Sequence, residues 1–475
     1  MSVRDRLGSV FKTREEFDLT SGGIARPLFY LSLPIVVTNL LQTAYNLTDT
    51  FWLGQYSTNA LAAISFAFPM VFLLIALGMG LSVAGSVLVA QHTGADEQRQ
   101  ADYAASQTVV FSVVAALLIG SGGYLVVGDF LALLGASPAV LPLATSYMRV
   151  ISLGLVFMFG FWIFVALMRG YGDTVTPMLV MFGSVAVNIV LDPFLIFGWG
   201  PFPRLGVAGA AYATIFARML AMVVGLSILF HGSHGLQIRL GQMAPDLSYL
   251  RKMLRIGVPA SVEVTGRALS VNLLLIIVGL FPTTVVAGYG IGVRVFSVIF
   301  LPAIAVARGV ETMTGQNIGS DERDRVAATN GFAARAMFLI LGAAGIVVWL
   351  SARPVVAVFT TNPAVIDVGA TFLRYVAPTF GFIGVIRAYT GGFRGAGKTL
   401  TAAVISVLML GVIRLPVAWI ASRPFGAEGI WLSFAVSNVT GAVIAFLWFR
   451  RGTWREADLT DERQHVDSAQ SAVND

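Results

Sequence analysis

From residue 169 to residue 176 the chain reads Arg-Gly-Tyr-Gly-Asp-Thr-Val-Thr, and from 394 to 401 it reads Arg-Gly-Ala-Gly-Lys-Thr-Leu-Thr. The two stretches lie 225 residues apart in a chain of 475, and the same offset aligns landmarks well outside them. Pro34 falls on Pro259, and Gln91, Gly94, Asp96 and Glu97 fall on Gln316, Gly319, Asp321 and Glu322. Pro138-Ala-Val falls on Pro363-Ala-Val, and Arg149 on Arg374. Most shared positions are turn formers and helix breakers, where chance matching among apolar residues cannot account for the agreement. The chain is therefore read as a tandem duplication.

Around these turns the sequence is strongly apolar. Lys, Arg, Asp and Glu make up 12% of the residues and hydrophobic residues 56%, with a mean hydropathy of +0.80. Soluble domains carry about 25% charged residues, so this surface is not made for water. Apolar runs between polar breaks predict spans near 27–53, 60–90, 104–127, 139–168, 177–198, 207–230, 255–280, 285–314, 328–351, 364–392, 401–421 and 427–449. Each meets the need for roughly 20 apolar residues per crossing. The runs are continuous and do not alternate with polar residues, which excludes a barrel of strands. The predicted fold is an all-α polytopic membrane protein, with twelve transmembrane helices in two six-helix lobes related by a parallel internal repeat.

The lobes are expected at 27–230 and 255–449, joined by a cytoplasmic linker at 231–254, with an N-terminal segment at 1–26 and a polar tail at 450–475. Six spans per half is an even number, so the halves share one orientation about an axis along the membrane normal. Such folds place a substrate between their repeats. Nineteen Lys and Arg fall on the N-terminus, the even-numbered connections and the tail, against three (Arg204, Arg353, Arg423) on the opposite side. This bias predicts both termini in the cytoplasm of a multi-pass plasma-membrane protein.

The absence of cysteine rules out disulfides and thiolate metal sites. The four histidines, His92, His231, His234 and His465, fall in polar loops or the tail, so neither a metal centre nor a cofactor is expected. The basic pI of 9.7 follows from the charged loops and does not point to nucleic acid. Residues 1–20 carry Glu15, Glu16 and Asp18 and no apolar core, unlike a cleavable signal peptide. Gly392-Phe-Arg-Gly-Ala-Gly397-Lys398-Thr399 satisfies the Walker A pattern, but a phosphate loop follows a strand, whereas a predicted span precedes this one. Its duplicate also has Leu167 for the first glycine and Asp173 for the lysine. Gly170-Tyr-Gly-Asp173 matches the GxGD pattern of intramembrane aspartyl proteases, which is the enzyme alternative. Because Lys398 stands at the duplicate position, Asp173 is read as part of a structural turn.

Carboxylates within spans are costly and mark function. Asp49, Asp192, Glu263 and Glu311 are of this kind. Tyr45 and Asp49 are four residues apart, as are Asn188 and Asp192, so each pair shares a helix face. At about 1.5 Å per residue, Asp49 lies roughly 7 Å inside the outer end of its span, Asp192 roughly 9 Å and Tyr147 roughly 12 Å. Three helices of the first lobe thus bring polar groups to one depth. Two carboxylates close together in a low dielectric resist double ionisation, so such a pair can take up and release a proton; the plainer alternative is a static hydrogen-bonded patch. In the second lobe the counterparts of Tyr45, Asp49, Asn188 and Asp192 are Ser270, Leu274, Ile413 and Val417. That lobe carries Glu263 with Arg267 one turn on, and Arg294, Arg387 and Arg414, read as an internal ion network with anion or substrate interaction as the alternative. Arg149 and Arg218 are further cations at membrane depth with no assigned partner.

These features resemble the multidrug and toxic compound extrusion family, in particular its prokaryotic DinF-like branch, over about residues 20–450. The resemblance is carried by the two six-helix lobes, the Pro34 break, Tyr45-Asn-Leu-Thr-Asp49-Thr, Asn188-Ile-Val-Leu-Asp192-Pro, the Arg-Gly-x-Gly turns and Gly206-Val-Ala-Gly209-Ala-Ala-Tyr-Ala-Thr214. Span 4 departs from it, with Trp162 and Val165 where asparagines often precede the Arg-Gly turn. The resemblance implies a secondary active multidrug antiporter, not an enzyme, that exports organic cations or amphipathic drugs in exchange for protons or sodium by alternating access. It implies a coupling-cation site at Asp49, Asp192, Asn188, Tyr147 and Tyr45, with sodium as the other candidate at the two aspartates. Thr214, Gln42 and Asn46 would line the lobe, and Pro34 would be the point where span 1 bends. A monomer in the lipid bilayer is expected. The alternative within the wider superfamily is a flippase or exporter of lipid-linked or polysaccharide precursors.

Overall fold

The computed structural model describes residues 11–12, 14–456 and 459; residues 1–10 and 13 of the expected N-terminal segment, and 457–458 and 460–475 of the expected tail, lie outside the described residues. Among the described residues the chain is helical, with no strand. The first half contains α1 (Ala25–Tyr56), α2 (Thr58–Gly94), α3 (Gln98–Leu133), α4 (Leu141–Leu153), α5 (Leu155–Tyr171), α6 (Val175–Phe197) and α7 (Val207–His231). The second contains α8 (Leu247–Val278), α9 (Thr283–Gly319), α10 (Arg323–Leu350), α11 (Ala352–Ala357), α12 (Pro363–Val376), α13 (Phe380–Gly395), α14 (Thr399–Val407), α15 (Leu415–Phe425) and α16 (Ala427–Arg450). A π-helical turn, Leu408–Arg414, links α14 to α15.

Eleven helical stretches are long and apolar enough to cross a membrane, and a twelfth crossing is made by α4 and α5 together. The single run expected near 139–168 is bent by 54° between those two helices. The break falls at Gly154, where a Cβ would collide with the Ile215 side chain of α7. The break thus coincides with a close helix approach that a run of apolar letters does not reveal.

The duplication is visible in the helices themselves. α2 and α9 begin and end 225 residues apart, and α3 and α10, and α5 and α13, begin at the same offset. Asp96 (φ 58°) and Asp321 (φ 60°) are the non-glycine residues of positive φ among the described residues, and they are repeat partners. Each closes its helix by the same bond one residue on, Glu97 N to His92 O at 2.9 Å and Glu322 N to Asn317 O at 2.8 Å. A Cβ at Gly170 would strike the Ser86 carbonyl, and one at Gly395 would strike the Glu311 carbonyl. Those partners are also 225 apart, so the Arg-Gly turns owe their glycine to one repeated helix crossing, made close by a small residue.

By packing, the chain forms two units. Among the described residues, the first comprises those up to Phe17 with Leu33–Thr93 and Glu97–Ser261, and the second Asp18–Ser32, Gly94–Asp96 and those from Val262. The first unit's core is rich in alanine, including Ala60, Ala63, Ala67, Ala144, Ala210 and Ala211, which lets helices approach closely. The second unit's core is aromatic, with Tyr289, Phe372, Phe380, Trp431 and Phe434. Large apolar side chains such as Leu118, Leu125, Leu339 and Val347 face outward, as lipid-facing helices require. The stretch expected as a linker, 231–254, is fastened to α3 of the first unit. Gln107 Nε2 donates to the carbonyls of Gln242 and Ala244 at 2.7 and 2.8 Å. The buried Asp102 accepts from Gln237 N at 3.0 Å and pairs with Arg239 at 3.1 Å.

Candidate functional site

The first unit brings its two in-span aspartates together. α1 carries Tyr45 and Asp49, α6 carries Asn188 and Asp192, and α4 carries Tyr147; all five side chains are buried. Asp49 and Asp192 meet directly, with Asn188 beside both. Asn188 Nδ2 donates to Asp192 Oδ1 at 3.3 Å, and Tyr147 lies within electrostatic reach of both carboxyls. Asp49 Oδ1, Asp192 Oδ2 and Asn188 Oδ1 are buried acceptors with no hydrogen-bond partner. Orphaned oxygens are costly away from water, and three of them on adjoining side chains form a site short of positive charge or of donors.

Tyr45 and Thr214 close a second edge of the cluster. The Tyr45 hydroxyl donates to Thr214 Oγ1 at 2.6 Å. One turn after Thr214, Arg218 enters the same region: Nη2 donates to Gln42 Oε1 at 2.8 Å and Nη1 to Met181 Sδ at 3.1 Å. Its guanidinium lies 4.9 Å from the Tyr45 ring centroid and 5.1 Å from that of Phe161. Gln42 in turn donates to Asn46 Oδ1 at 3.1 Å, along α1. Sequence reading left Arg218 without a partner. The available signal was its spacing of four from Thr214, which puts the two on one helix face. Arg149 stands apart, exposed and over the Tyr124 ring at 5.4 Å.

α1 runs as a continuous helix through Pro34. The proline cannot donate to the carbonyl one turn back, and its own carbonyl accepts a second donor, Thr38 Oγ1, at 2.8 Å. Trp162 and Val165, the positions that depart from the resemblance, line a cleft of about 40 Å³ beside Thr38 and Asn39.

The second unit holds ions in a different arrangement. Glu263 accepts from Arg394 Nη1 at 3.1 Å on each oxygen, from Ser406 Oγ at 3.0 Å and from Arg267 at 3.5 Å. Arg394 also reaches Glu311 at 3.1 Å, and Glu311 pairs with Arg308 at 2.9 Å. Arg394, from the repeated turn, is therefore the centre of the network, and Arg267 is a looser neighbour. Arg294 and Arg414, expected in the same network, stand outside it. Arg294 is exposed. Arg414 donates to Ser437 Oγ at 2.9 Å and Asn438 Oδ1 at 2.8 Å over the Phe434 ring. Arg387 stacks on Phe300 at 4.6 Å.

The two enzyme-like motifs resolve into turns. Asp173 Oδ1 accepts from Val175 N and Thr176 N, each at 3.0 Å, and Oδ2 accepts from Thr176 Oγ1 at 2.5 Å. Its carboxylate thus caps the start of α6. Gly397 (φ 75°), like its partner Gly172 (φ 105°), makes a left-handed turn between two helices, so Lys398 follows a helix and not a strand.

The comparisons with known proteins agree with this architecture. A protein of Bacillus subtilis named "Probable multidrug resistance protein YpnP" is 28% identical over 451 residues, spanning 94% of this chain and 99% of that one. "Probable multidrug resistance protein NorM" of Thermotoga maritima is 28% identical, spanning 93% and 95%. A crystal structure of MATE in the bent conformation matches with a TM-score of 0.84 at 25% identity, covering 93% of this chain and 98% of that one. The MatE family model matches twice, over residues 34–194 and 259–420. The two matches begin at Pro34 and Pro259, which are repeat partners at the offset of 225. With its helical spans, its doubled architecture and both of these matches, the chain belongs to the MatE family of multi-pass membrane transporters.

Proposed function

We propose that the protein is a secondary active multidrug antiporter of the plasma membrane, exporting organic cations or amphipathic drugs in exchange for protons, with Asp49 and Asp192 as the coupling pair. The observation that carries this reading is the meeting of two buried carboxyls beside Asn188, with three acceptor oxygens left unpaired. A proton taken up there supplies the missing donor, because a protonated carboxyl can hydrogen-bond a neighbouring oxygen. It also removes one of two charges that repel each other in a low dielectric. Loss of that charge weakens attraction for a cationic drug on the outer side, and deprotonation on the inner side restores it. Pro34, which lacks a backbone donor in α1, is the point at which that helix would flex as Asp49 changes charge. The printed names of the Bacillus and Thermotoga relatives support multidrug cargo. The same oxygens would also suit a sodium ion, so the test separates the two cations.

Purified protein in proteoliposomes should expel a cationic dye when a proton gradient is imposed, and not when a sodium gradient of equal size is imposed. Asp49→Asn and Asp192→Asn should each cut proton-driven efflux at least tenfold in protein that is still inserted and folded. Efflux driven only by sodium would replace the proton in this scheme, and full efflux by both variants would remove the acids from it.

A further inference from the structure

The chain carries a net charge of +6 at pH 7, yet one cavity of the first unit is acidic. It holds about 580 Å³ and opens between Tyr103 of α3 and the stretch 241–248. A space of that size suits a small organic molecule. Asp246 is the one charged residue among the described residues that line it. Pro245 and Leu247 give it an apolar lip, with 75% of the Leu247 surface exposed. Arg239, a few residues before the cavity stretch, is engaged elsewhere, by the buried Asp102 at 3.1 Å.

The cavity wall has acceptor capacity to spare. Asp246 Oδ1 takes three bonds, from Ser248 N at 2.9 Å, Ser248 Oγ at 2.6 Å and Tyr249 N at 3.2 Å. Oδ2 takes one, from the Tyr103 hydroxyl at 2.7 Å. A carboxylate oxygen can accept two bonds, so Oδ2 has room for a further donor. Gln242 Oε1, in the same wall, is a buried acceptor with no hydrogen-bond partner. Leaving it so is costly. The last torsion of a glutamine side chain is soft, so a small rotation brings that oxygen to a donor in the cavity. The backbone beside both residues is fixed by Gln107, which holds the carbonyls of Gln242 and Ala244 and accepts from the Asp246 amide at 3.1 Å. A fixed frame of this kind lowers the ordering cost of binding.

An ammonium group answers each of these features. It brings N–H donors for Asp246 Oδ2 and Gln242 Oε1, and a positive charge for the carboxylate and for the ring of Tyr103. We propose that this cavity binds the protonated primary or secondary amine of an amphipathic molecule, whose apolar body lies against Pro245 and Leu247. A quaternary ammonium ion carries the charge without the donors and is a poor ligand. The proposal rests on the transport reading only in calling such an amine cargo, and its test needs no transport.

Gly241 lines the cavity, and a Cβ there would meet nothing within 4 Å. The chain has no cysteine, so Gly241→Cys makes occupancy readable as protection from a neutral methanethiosulfonate, in purified full-length protein in detergent. Three probes share one aromatic body: 1-naphthylmethylamine, (1-naphthylmethyl)trimethylammonium and neutral 1-naphthylmethanol. At several times its Kd the amine should slow modification about fivefold, and the other two at the same concentration about twofold at most. Gln242→Met and Asp246→Asn, each added to Gly241→Cys, should remove most of that protection. Hydrogen exchange of residues 240–250 reports whether the segment stays in place; if Asp246→Asn releases it, Gln242→Met decides. Three results overturn the proposal: no protection by the amine, equal protection by the quaternary ion or the alcohol, or protection that survives Gln242→Met in an ordered segment. Protection by the amine in protein that shows no dye efflux counts against the antiport reading alone, and efflux without protection counts against this site alone.

Discussion

Asp49 and Glu263 are both buried acids in the first helix of a repeat, yet their neighbours set them to different tasks. Asp49 meets another carboxyl and an amide, and one of its oxygens has no partner. Glu263 receives two arginines and a serine. So surrounded, Glu263 ties its helix to α13 and α14. Removing one member of a buried ion pair leaves an uncompensated charge and costs about 3–5 kcal/mol. Glu263→Gln is therefore expected to lower the melting temperature clearly, while residual transport keeps the wild-type pH midpoint. Asp49→Asn is expected to do the reverse, leaving the protein folded and abolishing the pH dependence. Transport measured across pH alongside thermal melting checks both, and an exchange of the two phenotypes would move the coupling site to the second unit.

At the scale of elements, the segment 231–254 shows how a polar stretch gains structure. Nothing in its composition announced that α3 would hold it, but Gln107, Asp102 and Tyr103 turn toward it from one helix face. Asp246, just before α8, accepts from Ser248 and Tyr249, and from the Tyr103 hydroxyl at 2.7 Å. The Ser248 hydroxyl foremost, and then Tyr103 and the two backbone donors, hold its carboxyl down at about 2. Its folded value is thus depressed below the ordinary 3.8. The stabilisation it provides is present above that ordinary value and is lost as pH falls toward the folded one. Hydrogen exchange of residues 240–250 should therefore stay flat from pH 7 to 5, once corrected for intrinsic rates, and should accelerate below about pH 4. Asp246→Asn should show the faster exchange already at pH 7. Acceleration that begins near pH 6 would point to a different group.

For the whole molecule, the charge bias of the loops predicts which side of the membrane each connection faces, and this is testable without structure. A cysteine placed after Arg451, or within 231–254, should be protected from an impermeant thiol reagent in sealed cells, whereas one near Pro203 should be labelled. The chain contains no native cysteine to confuse the assay. Labelling of the tail position from outside would contradict the expected orientation and the even number of crossings behind it.

The helical class, the number of crossings and the duplication were legible in the sequence, because each rests on a local or periodic property. Apolar length sets a span, and turn chemistry at a fixed offset marks a repeat. The left-handed turns at Gly172 and Gly397 follow from those letters, whereas the positive φ of Asp96 and Asp321 carries no such signal. The depth of Asp49, Asp192 and Tyr147 could be counted along their helices, but whether they face one another depends on helix rotation, which packing alone sets. The tertiary structure therefore decided that Arg218 joins Gln42 and Tyr45. It also made Arg394, a turn residue by its motif, the centre of the ion network around Glu263. Arg414 was left with neutral partners, because the distances between charges on separate helices are set by how those helices pack and not by their order in the chain.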